Sequence, residues 1–380
     1  MDMARIRPHT AIAPSPANGG ERPDSHELAD ACCEPNPFYH PALLGPARDH
    51  LDPGGEVRLI EAHEGGRLIG QMPVTARTRH ARYPVRNVSN WMHDQCFYGA
   101  PLLRRGHEVA AWSGLLARLD EAAWAGHFLH LIALDREGPA AQALRECCAR
   151  EGRALKTIAT HERALLRSDM DADSYWRTHV RSKKRKELRR LVNRLGETGT
   201  VTHSRLSDGG DPSQWTEDFL ALEASGWKGK HGDALASGTD TRAWFTAALA
   251  SAGATDMLDM LRIDVDGRAI AMLVNFRHGR GGFSYKIAFD ESFARYSPGI
   301  LVEMDNLHAM LGDGTQPRTL DWMDSCAAPD HPMIDRLWTE RVRHETVYVG
   351  RKTLPRFYFY LARVAQTRLQ PMMRGRRTAK

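Results

Sequence analysis

The 380-residue sequence is short of the features that would settle its class at once. No apolar run in it approaches the roughly 20 residues that a membrane-crossing helix needs. Its opening, MDMARIRPHTAIAPSPANGG, has no apolar core of the kind a secretory leader carries. Cysteine is scarce. Cys32, Cys33, Cys96, Cys147, Cys148 and Cys326 fall as two adjacent pairs and two singles, which makes neither a disulfide framework nor a CxxC metal spacing. A reducing cytoplasm and metal-free chemistry are the expectations. Neither sign of charge dominates: 52 basic against 47 acidic residues leave a net charge of +5. That mild excess fits an anionic ligand and does not demand nucleic acid. The length suits about two domains with a sizeable core.

What is present is clearest from Gly281 to Leu311. Phe283, Tyr285, Ile287 and Phe289 alternate with Ser284, Lys286, Ala288 and Asp290. This period of two predicts a strand with one large apolar face and one small polar face that carries Lys286. Ser297 suits a helix N-cap and Pro298 the first helical position. Ile300, Leu301, Met304, Leu307 and Leu311 then keep helical spacing. Unpaired amides and the helix dipole favour an anion at such a start. Gly299 leaves room for a phosphate to approach, and Arg295 adds a charge. A diphosphate such as that of coenzyme A fits this cradle. A capped helix following a turn, with Ser297 satisfying the first amides, fits the same residues.

Along the chain, residues 1–25 are rich in Pro, Ala and Gly and read as disordered. Order is expected from Asn36-Pro37-Phe38-Tyr39. Strands are expected at 56–63, 67–75, 127–134, 155–160, 201–206 and 319–323, and helices at 107–125, 139–151, 215–227, 241–251 and 354–367. Residues 256–264 and 268–277 form a hairpin turning at Asp266-Gly267. Between Arg177 and Arg194 lie nine Lys or Arg and one acid, Glu187, with Leu188, Leu191, Val192 and Leu195 as an apolar stripe. This is a basic amphipathic helix, open to an acidic substrate, RNA, a membrane surface, the other domain or plain solvent. Gly226 to Gly232 reads as a basic, mobile loop. LIEAHEGGRLIGQMPV at 59–74 is echoed by LRIDVDGRAIAMLV at 261–274, each a hairpin turning at Gly-Arg. Two copies of one α/β unit follow from the echo. The first has Tyr98-Gly99-Ala100-Pro101 in place of Tyr296-Ser297-Pro298-Gly299 and no evident cradle.

Glu223 with Gly226-Trp227-Lys228-Gly229, then Tyr285-Lys286, Phe289-Asp290 and Ala294 to Gly299, resemble the GNAT superfamily of N-acyltransferases. The nearest branch is Fem-like and CelD-type, and SKKRKELRR fits it. The resemblance covers roughly residues 175–340. It implies tandem GNAT folds of the α/β class, with mixed central sheets flanked by helices: a degenerate domain at 26–168, a catalytic domain at 169–370 and a basic tail at 371–380. It implies acyl-CoA entering between two splayed strands, held by Lys286, Arg295, Tyr296, Ser297, Pro298, Gly299 and Ile300. The loop departs from the superfamily pattern in having one glycine, Gly299.

Acyl transfer to an amine needs a proton acceptor and a stabilised oxyanion. The segment from Asp321 to Arg341 is dense in candidates. Asp324 or His331 is a possible base; Asp324 with Arg341 is a possible substrate clamp; capping and ion pairing account for the same residues. Glu223 is a third catalytic candidate. Trp227, Lys228, Tyr285 and Arg341 are expected at the acceptor, a small-molecule or peptide amine. Asp324, Cys326 and His331 lack a metal-ligand spacing. Two alternatives remain beside acyl-CoA transfer: aminoacyl transfer from charged tRNA, and a non-catalytic pair acting as a scaffold in polysaccharide or envelope assembly.

Overall fold

The computed structural model describes residues 23–352. Most of the N-terminal segment, the helix expected at 354–367 and the basic tail lie outside the described residues. In chain order the elements are α1 (Pro23–Asp30), α2 (Pro41–Leu51), β1 (Arg58–Glu64), β2 (Arg67–Arg77), β3 (Asn87–Asn90), β4 (Leu102–Leu103), α3 (Glu108–Glu121), β5 (Phe128–Asp135), α4 (Pro139–Glu151), β6 (Leu155–Leu166), α5 (Ala172–His179) and α6 (Ser182–Gly196). Then come β7 (Val201–Arg205), α7 (Pro212–Ser225), α8 (Trp227–His231), α9 (Thr239–Ala254), β8 (Leu258–Val265), β9 (Arg268–His278), β10 (Gly281–Phe289), α10 (Pro298–Leu311), β11 (Trp322–Asp324) and β12 (Glu340–Gly350).

All twelve strands join one mixed sheet in the order β1-β2-β3-β5-β12-β6-β11-β10-β9-β8-β7, with β4 beside β2. The two echoed hairpins are real and alike. Both close on two residues at positive φ, Gly65 and Gly66 (57° and 83°) and Asp266 and Gly267 (50° and 79°), as a type I′ turn requires. Both also carry a bulge near the turn, at Ala62/His63 and at Ile263/Asp264. Parallel pairing occurs once in each half, β3 with β5 and β10 with β11.

In the second half, Leu188, Leu191, Leu301 and Val302 of α6 and α10 cover Leu261, Ile263, Ile270 and Leu273 on one face. Phe219, Leu220 and Trp244 of α7 and α9 cover Met260, Met272 and Val274 on the other. Helix α2 packs on α9 and ties the halves together.

Several elements depart from the sequence reading. Helix α1 starts at Pro23, so order begins before Asn36 and within the segment read as disordered. Helix α2 was hidden by Gly45 and Pro46 in its middle. The basic stretch is two helices, α5 and α6, not one. Residues 227–231, read as loop, are the short helix α8, closed by Gly232 at φ 78°. Strand β12 was not expected at all, yet it lies between β5 and β6 near the middle of the sheet.

Candidate active site

Strands β10 and β11 pair only at Gly281–Trp322, Gly282–Met323 and Phe283–Asp324. There β11 stops. The Ser325 amide donates to the Ala164 carbonyl of β6 (3.1 Å), and Cys326 takes φ 51°, so the chain turns away. Strand β10 runs on to Phe289 with β9 alone beside it. Among the described residues no strand pairs with the other edge of Ser284–Phe289. The two strands therefore splay into a notch.

A bulge at Tyr285 resets the faces of β10. Ser284 opposes Asn275 and Lys286 opposes Val274, with Tyr285 as the extra residue. Phe283, Tyr285 and Ala288 join the core under α7 and α9, whereas Ile287 and Phe289 pack with α6 and α10. The simple alternation expected from sequence is thus broken. Lys286 shares the side of Tyr285, with its ammonium 5.3 Å from that ring's centroid.

On the α10 side, residues 291–296 form a 3-10 turn started by Asp290, whose Oδ1 accepts from the Ser292 amide (2.9 Å) and hydroxyl (2.7 Å). Pro298 opens α10 as expected. Ser297 does not cap it with its hydroxyl. The residue sits left-handed at φ 56°, ψ 50°, and its carbonyl instead accepts from the amides of Ile300 (2.9 Å) and Leu301 (3.2 Å). Arg295 is exposed and stacks on Tyr296, 4.7 Å from the ring centroid. Gly299 is buried, and a Cβ there would lie 3.5 Å from Ile287 Cδ1 and from Phe289 Cδ1, ordinary contacts. The fold itself would therefore accept a methyl group at this glycine.

On the opposite side, buried Glu223 ends α7. Its Oε1 accepts from Lys228 Nζ (2.8 Å) and its Oε2 from the Leu235 amide (2.8 Å). Trp227 is 52% exposed beside it. The Tyr285 hydroxyl donates to Gln95 Oε1 of the first half (2.9 Å). Burial, and then the Lys228 charge, push the Lys286 ammonium down to about 8. Lys286, Glu223, Lys228 and Tyr285 thus lie together, while Arg295 to Ile300 lie at the far end of the notch.

The dense 321–341 segment divides. Asp324 is 3% exposed and fully engaged: Arg163 lies 2.6 Å and 2.7 Å from its two oxygens, and the Cys326 amide donates to Oδ1 (2.9 Å). Although burial opposes ionisation, the Arg163 charge and His344 hold this carboxyl well below the ordinary carboxylate range. His331 accepts from the Ile334 amide through Nδ1 (3.4 Å), and Arg341 pairs with Asp335 at 3.6 Å. Among the described residues neither touches Asp324. Burial, then Asp324, push the Cys326 thiol far up, so it is neutral. No cluster of three or more His, Cys, Asp or Glu among the described residues can hold a metal. No helix among them is long and apolar enough to cross a membrane.

Sequence reasoning missed a polar network beneath the notch. Ser284 Oγ donates to Glu303 Oε1 (3.3 Å), and Asn306 donates to Glu303 Oε2 (3.1 Å) and accepts from Asn275 (2.9 Å). Burial pushes Glu303 up to about 7. The signal was available: Glu303 and Asn306 interrupt the apolar face of α10 one turn apart. Arg163 and His344, the partners of Asp324, gave none.

The profile of the acetyltransferase (GNAT) domain family matches residues 182–326, from α6 to the end of the notch. No curated protein matches the sequence. Among solved structures, FemX superposes with a TM-score of 0.55 at 9% identity, over 86% of this chain and 94% of that one. A conserved protein of unknown function from Bacteroides thetaiotaomicron gives 0.54 at 11% identity, over 86% and 95%. The C-terminal domain of a putative lysylphosphatidylglycerol synthetase from Agrobacterium fabrum gives 0.51 at 13% identity, over 86% and 90%. With its paired hairpins and splayed strands, the chain has a tandem GNAT fold, and the match at residues 182–326 supports a transferase.

Proposed function

We propose that the protein is an acyl-CoA-dependent N-acyltransferase of the Fem-like, CelD-type branch, acting in the cytoplasm on a small-molecule or peptide amine. The observation that carries this is the unpaired edge of β10 beyond Phe283, which leads to the start of α10. The donor's pantetheine amides add to that edge as a partial strand. Its diphosphate lies over residues 295–300, where the dipole of α10 and Arg295 favour it. Gly299 supports this, because the fold has room for a larger residue there. The unit at 169–370 carries the chemistry, and the unit at 26–168 covers it through Gln95.

The acceptor amine enters on the Lys286 side. Its nitrogen attacks the thioester carbonyl, the C–S bond breaks and the thiolate departs. Glu223 takes the amine proton, directly or through a water, and Trp227 and Lys228 border the acceptor. Asp324, held ionised by Arg163, instead fixes the end of β11 and so the width of the notch. His331 and Arg341 hold the turn at 331–335 through the Ile334 amide and Asp335, and Met333 of that turn has its Sδ 3.7 Å from a Cβ at Gly299.

Calorimetric titration with acetyl-CoA and longer acyl-CoAs tests the reading. Saturable binding is expected, and no heat with any of them would overturn it. A second reading, aminoacyl transfer from tRNA, rests on α6. Among the described residues its Lys183, Lys186, Arg189, Arg190 and Arg194 make no ion pair, and Lys184–Glu187 is the pairing within it. RNA binding that falls steeply with salt, in a protein that ignores acyl-CoA, would favour it. Neither ligand, with a firm protein partner, would favour a scaffold.

A further inference from the structure

The side of the notch away from α10 is built for a negative charge that the protein does not itself supply. Lys286 sits half-buried just past the bulge of β10, in contact with the Tyr285 ring. Among the described residues its ammonium makes no hydrogen bond and no ion pair. The neighbouring carboxylates are already engaged. Glu223 spends one oxygen on Lys228 (2.8 Å) and the other on the Leu235 amide (2.8 Å). Asp324 is taken by Arg163 at 2.6 Å. Tyr285 and Cys326 face the same space as neutral groups, burial having pushed both far up. The charges around Lys286 are therefore two cations, Lys286 and Lys228, against one anion, Glu223, and Lys286 is the cation left over.

Withdrawing an ammonium from water without a partner is costly. Here the cost shows as an ammonium lowered to about 8 by burial and by Lys228. A bound anion would remove it. The donor's diphosphate is not that anion. It belongs at the start of α10, where a Cβ on Gly299 would meet Ile287 and Phe289, which point to the opposite face of β10 from Lys286.

We propose that the acceptor carries an anionic group, a carboxylate or a phosphate, which pairs with Lys286. The inference rests on the acyltransferase reading. It narrows the acceptor to amines such as amino acids, acidic peptides or phosphorylated amines. Lys286 reads the anion, and the amine reaches the thioester between Lys286 and Glu223. A lysine, as a point charge, accepts either anion.

The full chain and its Lys286→Met and Lys286→Arg variants are melted with succinate, with inorganic phosphate and with neutral succinamide. Succinate, phosphate or both are expected to raise the melting temperature of the wild type and of Lys286→Arg. Lys286→Met should lose that response, and succinamide should be silent throughout. An equal anion response in wild type and Lys286→Met overturns the proposal, because the anion then binds elsewhere, α6 included. In acetyl transfer, Lys286→Met should raise KM for 4-aminobutyrate roughly ten- to a hundredfold more than it raises KM for butylamine, as expected for one lost charge-assisted pair. A uniform fall in kcat for both amines would instead place Lys286 on the thioester oxygen and overturn the proposal. Acyl-CoA titration of the same proteins keeps the two readings apart. Acyl-CoA binding without a Lys286-dependent anion response sinks this inference alone. The anion response without acyl-CoA binding sinks the transferase reading and leaves an anion site.

Discussion

The protein contains the same strand junction twice, once shut and once open. In the first half β3 and β5 pair at Val88–Leu129 and Ser89–His130, and then the chain seals itself. The Asn90 side chain accepts from the Ile132 amide (2.9 Å) and donates to the carbonyls of Ile132 (3.0 Å) and Gly99 (3.0 Å). The Gly99 amide donates to Ala133 (3.0 Å). In the second half the strands part after Phe283 and Asp324, and among the described residues nothing equivalent bridges them. The helices that follow differ to match. Helix α3 buries Ala111, Trp112, Leu115, Leu116 and Leu119, all apolar, whereas α10 buries Glu303 and Asn306 among its leucines. One copy has used its notch as core, and the other has kept polar groups, Ser284, Glu303 and Asn306, beneath it. The two halves of a duplicated fold can thus be told apart by asking where backbone pairing is left incomplete.

Four perturbations probe the contrast. Removing Arg163 should do the most damage, since it takes the guanidinium from buried Asp324 and leaves that charge only His344 and the Cys326 amide. Arg163→Met should lose about 3–5 kcal/mol in urea unfolding, and adding Asp324→Leu should recover much of the loss. Next come matched glycine substitutions. A Cβ on Gly99 would lie 2.0 Å from the Ile132 carbonyl oxygen, so Gly99→Ala should cost about 1–3 kcal/mol or more and leave acyl-CoA affinity alone once folded.

A third effect is set by pH. Glu303 stands at about 7 in the folded protein against an ordinary 4.5. The folded state then holds the proton more tightly, so this stabilisation is complete below 4.5 and disappears as pH rises through about 7. Glu303→Gln should therefore unfold like the wild type at acid pH and be more stable by about 1–3 kcal/mol above neutrality. Melting curves of both proteins across that range decide it, and a constant difference would mean that Glu303 is ionised throughout. The smallest effect is at the open junction. Gly299→Ala should gain about 0.5–1 kcal/mol of stability, as a helical glycine replaced by alanine does. It should still weaken acyl-CoA binding about tenfold, as would follow from crowding a phosphate. Unchanged binding would remove the functional account of that glycine.

How much of this was legible beforehand depended on whether the deciding interaction was local. The two hairpins were readable because Gly65-Gly66 and Asp266-Gly267 announce their own turns, and α4 was readable from Pro139 to Gly152 because its ends carry their own signals. Strand β12 was not. Its sequence, ERVRHETVYVG, places charged residues in its first half, where only neighbours 180 residues away make sense of them, as Arg343 and Glu162 do at 2.6 Å. The bulge at Tyr285 inserts one residue and moves Lys286 to the other face, which no period-two count can register. Asp324 was singled out correctly as a strand end, but its partner Arg163 is 161 residues earlier. Proximity in sequence suggested His331 and Arg341 instead.

The placement of β12 has one more consequence. Residues 340–350 supply the rung between β5 and β6, strands finished nearly two hundred residues before. During synthesis the leading copy must wait with a gap in its sheet until residues 340–350 have emerged. A nascent chain halted before Glu340 would leave β5 and β6 as raw edges, open to stray pairing with other chains. Neither copy can therefore be excised as an independent unit, and the order of manufacture binds the first half to the second.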